Sequence, residues 1–443
     1  MAKQTSAKQI SDEFGTLVAD ATTHLQAGRP AEAERAYRAA LAMVPADPAV
    51  THNLGVAIAA QGRHRDAIGC FDQALRADPG YVSAHYNRAV ALMRLGETQE
   101  AIKAFERAAK FDPQHYEAHR ALGFLWLAQG ERGRALDHLA RTYELRRGDD
   151  RTAIARKSLT AATRHKLEHD AEQFHYISQR TRDRLRFEHL ARSYRAVTGQ
   201  FSNEVTALSD AQIETLGEDY NTPIHLRAAP EIAGNAVRER TDRDALAAQF
   251  DQHGAIFVDD LLTPQALYSL RRFLLESTIW HDFSHIDGFV ASYLEDGLAS
   301  PLLLQIADEL RHAFPEILGA HSLSQAWAFK GLRPQSAVDV HADDAAVSVN
   351  FWVTPTEANL EPEHGGLVVC RAPSPDDWQI KDYDPDQARI VTFLAQKAED
   401  NLVVPYRLNR AVLFRSRLFH HSDSPKFASG YENHRINLTL LYG

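Results

Sequence analysis

The 443-residue sequence predicts a multidomain chain: an all-α repeat solenoid, a helical bridge, and an α+β domain with a β-rich core. Three observations predict it. Gly28, Gly62, Gly96 and Gly130 recur every 34 residues. A charged stretch with helical apolar spacing and almost no Gly or Pro then runs to about Phe201. From Ala326 onward the apolar runs are short and separated by turn residues, which is strand patterning.

The repeat occupies the first third. Ala33, Ala67, Ala101 and Ala135 keep the same step, as do Pro45, Pro79 and Pro113, and an apolar slot reads Tyr37, Phe71, Phe105 and Leu139. Each unit is expected to be two helices joined at the glycine, where a side chain would crowd or φ is positive. The alanine lets the helices approach, and the proline ends the second helix because it cannot continue the hydrogen-bonding ladder. One unit cannot bury its own apolar face, so neighbours stack. The units run 14–47, 48–81, 82–115 and 116–149, with Arg147 in place of the last proline. This stretch resembles tetratricopeptide repeats, which share that period. The resemblance implies a concave face that binds a peptide or protein. Asn53 and Asn87 stand at the repeat family's consensus asparagine and are the expected partner-binding residues; a bond to a neighbouring helix is their alternative role.

The expected domains are 1–150, a helical cap or linker over 151–225, and 226–443. In the linker, Phe174, Ile177, Leu185, Phe187, Leu190 and Tyr194 recur at helical intervals. A loop over Asn221–Glu239 follows, with Pro223, Pro230 and Gly234. A strand is expected over Gly254–Asp260. Thr263 then reads as an N-cap ahead of Pro264, opening a helix over Gln265–Glu276, with another over Pro301–Ala313. The β-rich remainder reads as a sandwich or barrel.

Chemistry concentrates in that remainder. His341-Ala-Asp343 on an extended segment points both side chains to one face. A distant histidine in Leu418-Phe-His-His-Ser completes two imidazoles and one carboxylate, the ligand set of non-haem Fe(II) oxygenases, with positions left open for a keto acid and O₂. Arg435 lies in a strand-like apolar segment near the C-terminus. It would hold the far end of a dicarboxylate through a bidentate fork, or form an internal salt bridge with Asp339 or Glu432.

On these residues, 245–443 resemble the 2-oxoglutarate/Fe(II)-dependent dioxygenases, and the whole chain resembles bacterial fusions of tetratricopeptide repeats to such an enzyme. The resemblance implies a double-stranded β-helix core of the jelly-roll or cupin type. Its first strand would carry His341 and Asp343, a later strand His420, and the last strand Arg435. It implies Fe(II) on His341, Asp343 and His420, with 2-oxoglutarate and O₂ as co-substrates. Arg435, Asn437 and Asn350 would bind the co-substrate, Asn437 standing where many relatives carry Ser or Thr. His420 is preferred over His421 because related fusions share an LFHxT/SD pattern. Asp343 is intact, against halogenation. Asp344 reads as solvated or as a support behind the ligands, not as a ligand; Trp352 reads as core, with lining the barrel as its alternative, and His364-Gly365-Gly366 as a hairpin turn, with a place near the site mouth as its alternative.

The expected function is hydroxylation of a peptide or protein recruited by the repeats. The alternatives are a small or carrier-bound substrate, with the repeats used for docking or dimerisation, and a non-catalytic repeat scaffold. A net charge of −10 argues against nucleic acid, and no run approaches the roughly 18 apolar residues of a membrane span. Two cysteines, Cys70 and Cys370, exclude a disulfide framework and a four-cysteine metal site. With no secretory leader at the N-terminus, they suit a reducing, cytoplasmic setting. A homo-oligomer is compatible with all of this.

Overall fold

The computed structural model describes residues 2–45, 47–148, 159–284, 288–333, 337–375, 378, 387–396 and 401–443. The chain divides into two compact units, Met1–Leu125 and Trp126–Gly443. That division falls ahead of the expected boundary at residue 150. Among the described residues, no helix is long and apolar enough to cross a membrane.

The first unit is a series of antiparallel helices: α1 (Ala2–Gln26), α2 (Pro30–Met43), α3 (Pro48–Ala59), α4 (His64–Ala77), α5 (Val82–Arg94), α6 (Thr98–Phe111) and most of α7 (Tyr116–Ala128). The glycines of the 34-residue register sit at the turns with φ of +70, +77, +75 and +76°. A Cβ at any of the four would meet nothing within 4 Å. Their requirement is therefore the left-handed backbone and not crowding. Close approach is served elsewhere. A Cβ on Gly55 would lie 2.6 Å from the Phe71 ring, so that glycine lets α3 sit on α4. Ala33, Ala67 and Ala101 are fully buried, as are Tyr37, Phe71 and Phe105 in the aromatic slot. Helix α3 starts at Pro48 with the Asp47 carboxylate accepting from Val50 N, a proline and cap that agree on one start point.

Helix α8 (Arg132–Arg147), the second helix of the fourth repeat, belongs to the second unit. The reason lies in its buried polar contacts. Arg147 forks onto Asp296, Nε to Oδ1 at 2.7 Å and Nη2 to Oδ2 at 2.6 Å, both side chains buried. Burial works to raise the Asp296 carboxyl, but the Arg147 guanidinium overrides it and holds the group at about 2. Tyr143 Oη lies 2.8 Å from His281 Nε2, and His281 Nδ1 faces Asn221 Oδ1 at 3.0 Å.

Of the linker helix expected from Ala153, residues 149–158 lie outside the described residues. Two helices follow, Arg164–Ser178 and Arg184–Thr198, packed over a shared core of Phe174, Ile177, Phe187, Leu190 and Tyr194. Leu185, expected to belong to that face, is 78 % exposed, because its side chain falls on the solvent side of its helix. A short ladder, β1 (Ala161–Ala162) with β2 (Thr206–Ala207), ties off this element.

The remaining strands form two antiparallel sheets. They are β3 (Ala255–Val258), β4 (Phe289–Tyr293), β5 (Leu323–Gly331), β6 (Val347–Trp352), β7 (Leu367–Pro373), β8 (Leu402–Val404), β9 (Ala411–Arg415), β10 (Leu418–Ser422) and β11 (Arg435–Tyr442). The larger sheet runs β3-β9-β6-β11-β5-β4 and the smaller β10-β7-β8. A single bridge between His341 and His420 extends the smaller sheet beyond β10. Trp352, Val412 and Phe414 from one sheet and Leu367, Val369, Val404 and Leu418 from the other share one core, so the sheets face each other. The expected helix starts at Pro264 and Pro301 are both present, capped by Thr263 and Ser300.

Candidate metal and dicarboxylate site

His341, Asp343 and His420 converge, with one ligand atom of each lying within 4.8 Å of the others. His341 Nε2 is 3.9 Å from Asp343 Oδ1, and His420 Nε2 is 3.6 Å from Oδ2. His341 sits in an isolated bridge instead of a continuous strand, while His420 is mid-strand in β10. The backbone pair is reciprocal: His341 N donates to His420 O at 3.0 Å, and His420 N to His341 O at 2.9 Å.

The tautomers follow from the partners. His341 Nδ1 faces Asp339 O at 2.8 Å, and His420 Nδ1 faces Leu418 O at 3.0 Å. A carbonyl only accepts, so both Nδ1 atoms carry the proton and both Nε2 lone pairs point inward. Burial, and then the neighbouring His341, lower His420 to about 4, leaving it neutral as a metal ligand must be. Ser348 Oγ donates to Asp343 Oδ2 at 2.7 Å and lies 2.9 Å from Ser416 Oγ, which orients the carboxylate. Two imidazole nitrogens and one carboxylate this close together fit the donor set of a divalent metal with open positions. His421 is half-buried beside the cavity with its Nδ1 toward Ser422 O, and it does not join the cluster.

Arg435 opens β11, 4 % exposed. Among the described residues no carboxylate lies within ion-pair distance, so the internal salt bridge to Asp339 or Glu432 is not formed. Its Nε donates to Gly365 O at 2.9 Å, Nη2 to Gly366 O at 3.1 Å, and Nη1 to Asn437 Oδ1 at 3.4 Å. Burial lowers Arg435 to about 10, so it stays charged at neutral pH. A buried cation held only by neutral acceptors calls for an anion.

Arg435, Asn437 and His420 line one cavity with His341, and Asn350 and Thr439 complete its polar wall. Positions 435, 437 and 439 alternate along β11 and so share a face. Asn350 Nδ2 donates to Thr439 Oγ1 at 3.0 Å, while its Oδ1, buried, has no partner among the described residues. Trp327 and Phe329 of β5 form an aromatic wall. The cavity is narrow, about 30 Å³, so a dicarboxylate enters only if its lining opens. Trp352 is fully buried in the shared core and Asp344 is exposed, both as expected.

Ser348, Ser416, Thr439 and the two glycine carbonyls went unread in the sequence. Alternation along β6 and β11 from Asn350 and Asn437 would have reached Ser348 and Thr439. Nothing local marks the carbonyls.

In the first unit, Asn87 Nδ2 lies 2.8 Å from His52 Nε2, and Asn53 Oδ1 lies 3.1 Å from His52 Nδ1. The two asparagines thus converge on one histidine that burial keeps below its ordinary value. A separate groove of about 710 Å³ runs along α4, α5 and α6, with Pro79 and Phe111 among four cations and the acids Asp72, Glu100 and Glu106.

Behind the larger sheet lie further buried histidines. Burial, with Lys330 and Lys166 nearby, pushes His169 well below the ordinary value; burial and Arg147 do so for His281, and burial and Lys330 for His434. Each is neutral when folded, whereas the unfolded chain gains a proton near the usual histidine value of about 6.5. The folded values are depressed, so this stability is intact above that pH. It is lost as pH falls further, at about 1.4 kcal/mol per pH unit for each histidine. The melting temperature is expected to drop between about pH 7 and 5.5, and a flat profile would contradict neutral burial.

Comparisons with known proteins bear on the repeats. Residues 18–82, 59–115 and 86–150 match the family model described as tetratricopeptide repeat. Residues 18–150 therefore carry tetratricopeptide repeats, in the register read from the glycines. Among solved structures, the first repeat domain of Spaghetti (RPAP3) bound to an HSP90 peptide is 22 % identical, with 27 % of this chain and 95 % of that one covered and a TM-score of 0.26. The Sgt2 repeat domain from Aspergillus fumigatus is 24 % identical, covering 23 % and 67 %, with a TM-score of 0.23. A repeat protein from Parabacteroides merdae is 21 % identical, covering 43 % and 77 %, with a TM-score of 0.29. No curated protein matches the chain.

Proposed function

We propose that the second unit is a non-haem Fe(II), 2-oxoglutarate-dependent dioxygenase, hydroxylating a peptide or protein side chain that the repeats recruit. One observation carries this reading: two imidazoles cluster with the Asp343 carboxylate, and both imidazoles line one cavity with a buried arginine that meets no carboxylate among the described residues. The winding of the chain supports it. From β5 the chain crosses to His341 at the smaller sheet, returns to β6, crosses to β7 and β8, returns to β9, crosses to β10 and ends in β11. That alternation is how a double-stranded β-helix winds.

Fe(II) on His341, Asp343 and His420 would supply O₂ activation coupled to decarboxylation of 2-oxoglutarate, oxidising a substrate C–H bond. The residues supply position. Ser348 holds Asp343, Asp339 O and Leu418 O hold the imidazoles, and Arg435 presents its free guanidinium hydrogens to the far carboxylate. Trp327 and Phe329 would form the apolar wall beside the co-substrate.

Arg435→Ala is expected to raise the 2-oxoglutarate KM by about 10²-fold, the scale of a lost bidentate charge pair of about 3 kcal/mol. Fe(II) affinity should hold. An unchanged KM in steady-state assays would remove Arg435 as the anchor.

The second reading is a protein-interaction scaffold, and the family match to residues 18–150 favours it. The groove along α4–α6, apolar at Pro79 and Phe111 and lined by both cations and acids, suits a peptide with apolar and charged residues of mixed sign. A chain that binds peptide but neither Fe(II) nor 2-oxoglutarate would be this scaffold.

A further inference from the structure

The geometry points to the Gly365–Gly366 turn as a positioning element that aims Arg435 at the co-substrate and locks it in register with the strand carrying His420. This rests on the dioxygenase reading and adds residues that the ligand set does not contain.

A guanidinium has five N–H donors. The Nε–Nη2 edge is used by Gly365 O and Gly366 O. Nη1 gives one hydrogen to Asn437 Oδ1 at 3.4 Å, so one hydrogen on Nη1 and one on Nη2 are left for a carboxylate. The turn therefore decides which edge of Arg435 faces the cavity.

Two successive carbonyls aimed at one group do not arise in a regular strand, where they alternate in direction. The turn achieves it with glycines required for two different reasons. Gly365 has φ +83°, and a Cβ there would lie 3.2 Å from the Asn359 amide. Gly366 is pressed against the chain leaving β8, where a Cβ would sit 1.8 Å from Val404 O and 2.9 Å from Pro405 C. One position needs the left-handed backbone and the other needs the missing side chain.

The same turn is bonded to the end of β10. Gly365 N donates to Asp423 O at 2.8 Å, and Asp423 N donates to Gly366 O at 3.2 Å. His364 Nδ1 lies 3.1 Å from Asp423 Oδ2. Asp423 follows directly on β10, three positions beyond His420. Gly366 O thus accepts from both Arg435 and Asp423, and the dicarboxylate anchor and the distal metal ligand are referred to one carbonyl. Arg435 itself is 4 % exposed and forms no ion pair among the described residues, so two of its hydrogens still lack an acceptor.

The test is a titration of 2-oxoglutarate into the Fe(II)-loaded full chain under anaerobic conditions, with Fe(II) affinity and melting temperature measured alongside. Gly365→Ala strains the turn without touching a ligand atom. His364→Ala removes a side chain that is 53 % exposed and leaves the backbone intact. Gly365→Ala is expected to weaken 2-oxoglutarate by about tenfold, one charge-assisted hydrogen bond, with Fe(II) affinity unchanged. His364→Ala should weaken it by about threefold, as a KM increase at constant kcat, and it carries the test alone if Gly365→Ala does not fold. Wild-type affinity for 2-oxoglutarate in the folded variants, or equal losses in Fe(II) and 2-oxoglutarate affinity, would overturn the positioning role. A wild-type chain that binds neither Fe(II) nor 2-oxoglutarate would instead overturn the dioxygenase reading itself.

Discussion

Replacing His341 with alanine is expected to cut Fe(II)-dependent, 2-oxoglutarate-consuming turnover by at least about 10³-fold, about 4 kcal/mol of transition-state stabilisation. Asp343→Ala should do the same. The physical grounds are the same for both. Three side chains would hold the metal, and each is already oriented by a second contact: Asp339 O for His341, Leu418 O for His420, Ser348 Oγ for Asp343. Loss of one leaves two ligands, and the geometry that keeps the remaining positions open is lost with it. Because His341 is 28 % exposed and lies outside the main ladders, His341→Ala should fold normally. Ser348→Ala separates ligation from orientation. It keeps all three ligands and should weaken Fe(II) by about 10-fold, the usual scale for removing such a supporting contact. Metal titration and succinate release read both effects. Full turnover in His341→Ala would place the chemistry elsewhere.

The second large effect concerns stability. Asp296→Ala is expected to destabilise the second unit by about 3–5 kcal/mol, because it leaves the Arg147 guanidinium buried without its counter-charge. Arg147→Ala should cost a similar amount by stranding the carboxylate. A double replacement by apolar residues should recover much of the loss, since two well-packed apolar groups avoid the desolvation of both charges. Chemical denaturation of the three variants tests this, and near-additive losses in the double variant would contradict it. A practical corollary follows from α8 lying in the second unit. A fragment beginning at residue 151 would expose Asp296 and His281 without Arg147 and Tyr143, and it should be less stable than one beginning at Trp126.

These two predictions differ in how far the sequence announced them. The repeats are legible because a fixed period writes the same backbone demand four times, and φ near +75° at each glycine is that demand. His341, Asp343 and His420 are legible because few residue types bind metal and the His-x-Asp spacing is short. Arg435 is legible because a cation in an apolar strand needs a reason. The Arg147–Asp296 pair is not, since its members lie 149 residues apart and each looks like an ordinary surface charge in its own neighbourhood. The Gly365–Gly366 turn was readable as a turn, but not as the holder of Arg435, because backbone carbonyls leave no mark in a sequence. Leu185 fits the helical spacing and is exposed all the same, since spacing alone does not say where an apolar stripe ends. Ser348 and Ser416 are too common a residue type to stand out until β6 and β9 are paired.

The central claim is the joint site for Fe(II) and 2-oxoglutarate. The most direct measurement is anaerobic: Fe(II) and then 2-oxoglutarate are added to the full chain, and the weak visible absorption of a metal–keto-acid chelate is sought. The same sample is then exposed to O₂ and assayed for succinate, with His341→Ala as the control. Absorption and succinate that both depend on His341 are the predicted result. A wild-type chain that retains no iron and shows no band would contradict the claim and leave the tetratricopeptide repeats as the working part of the protein.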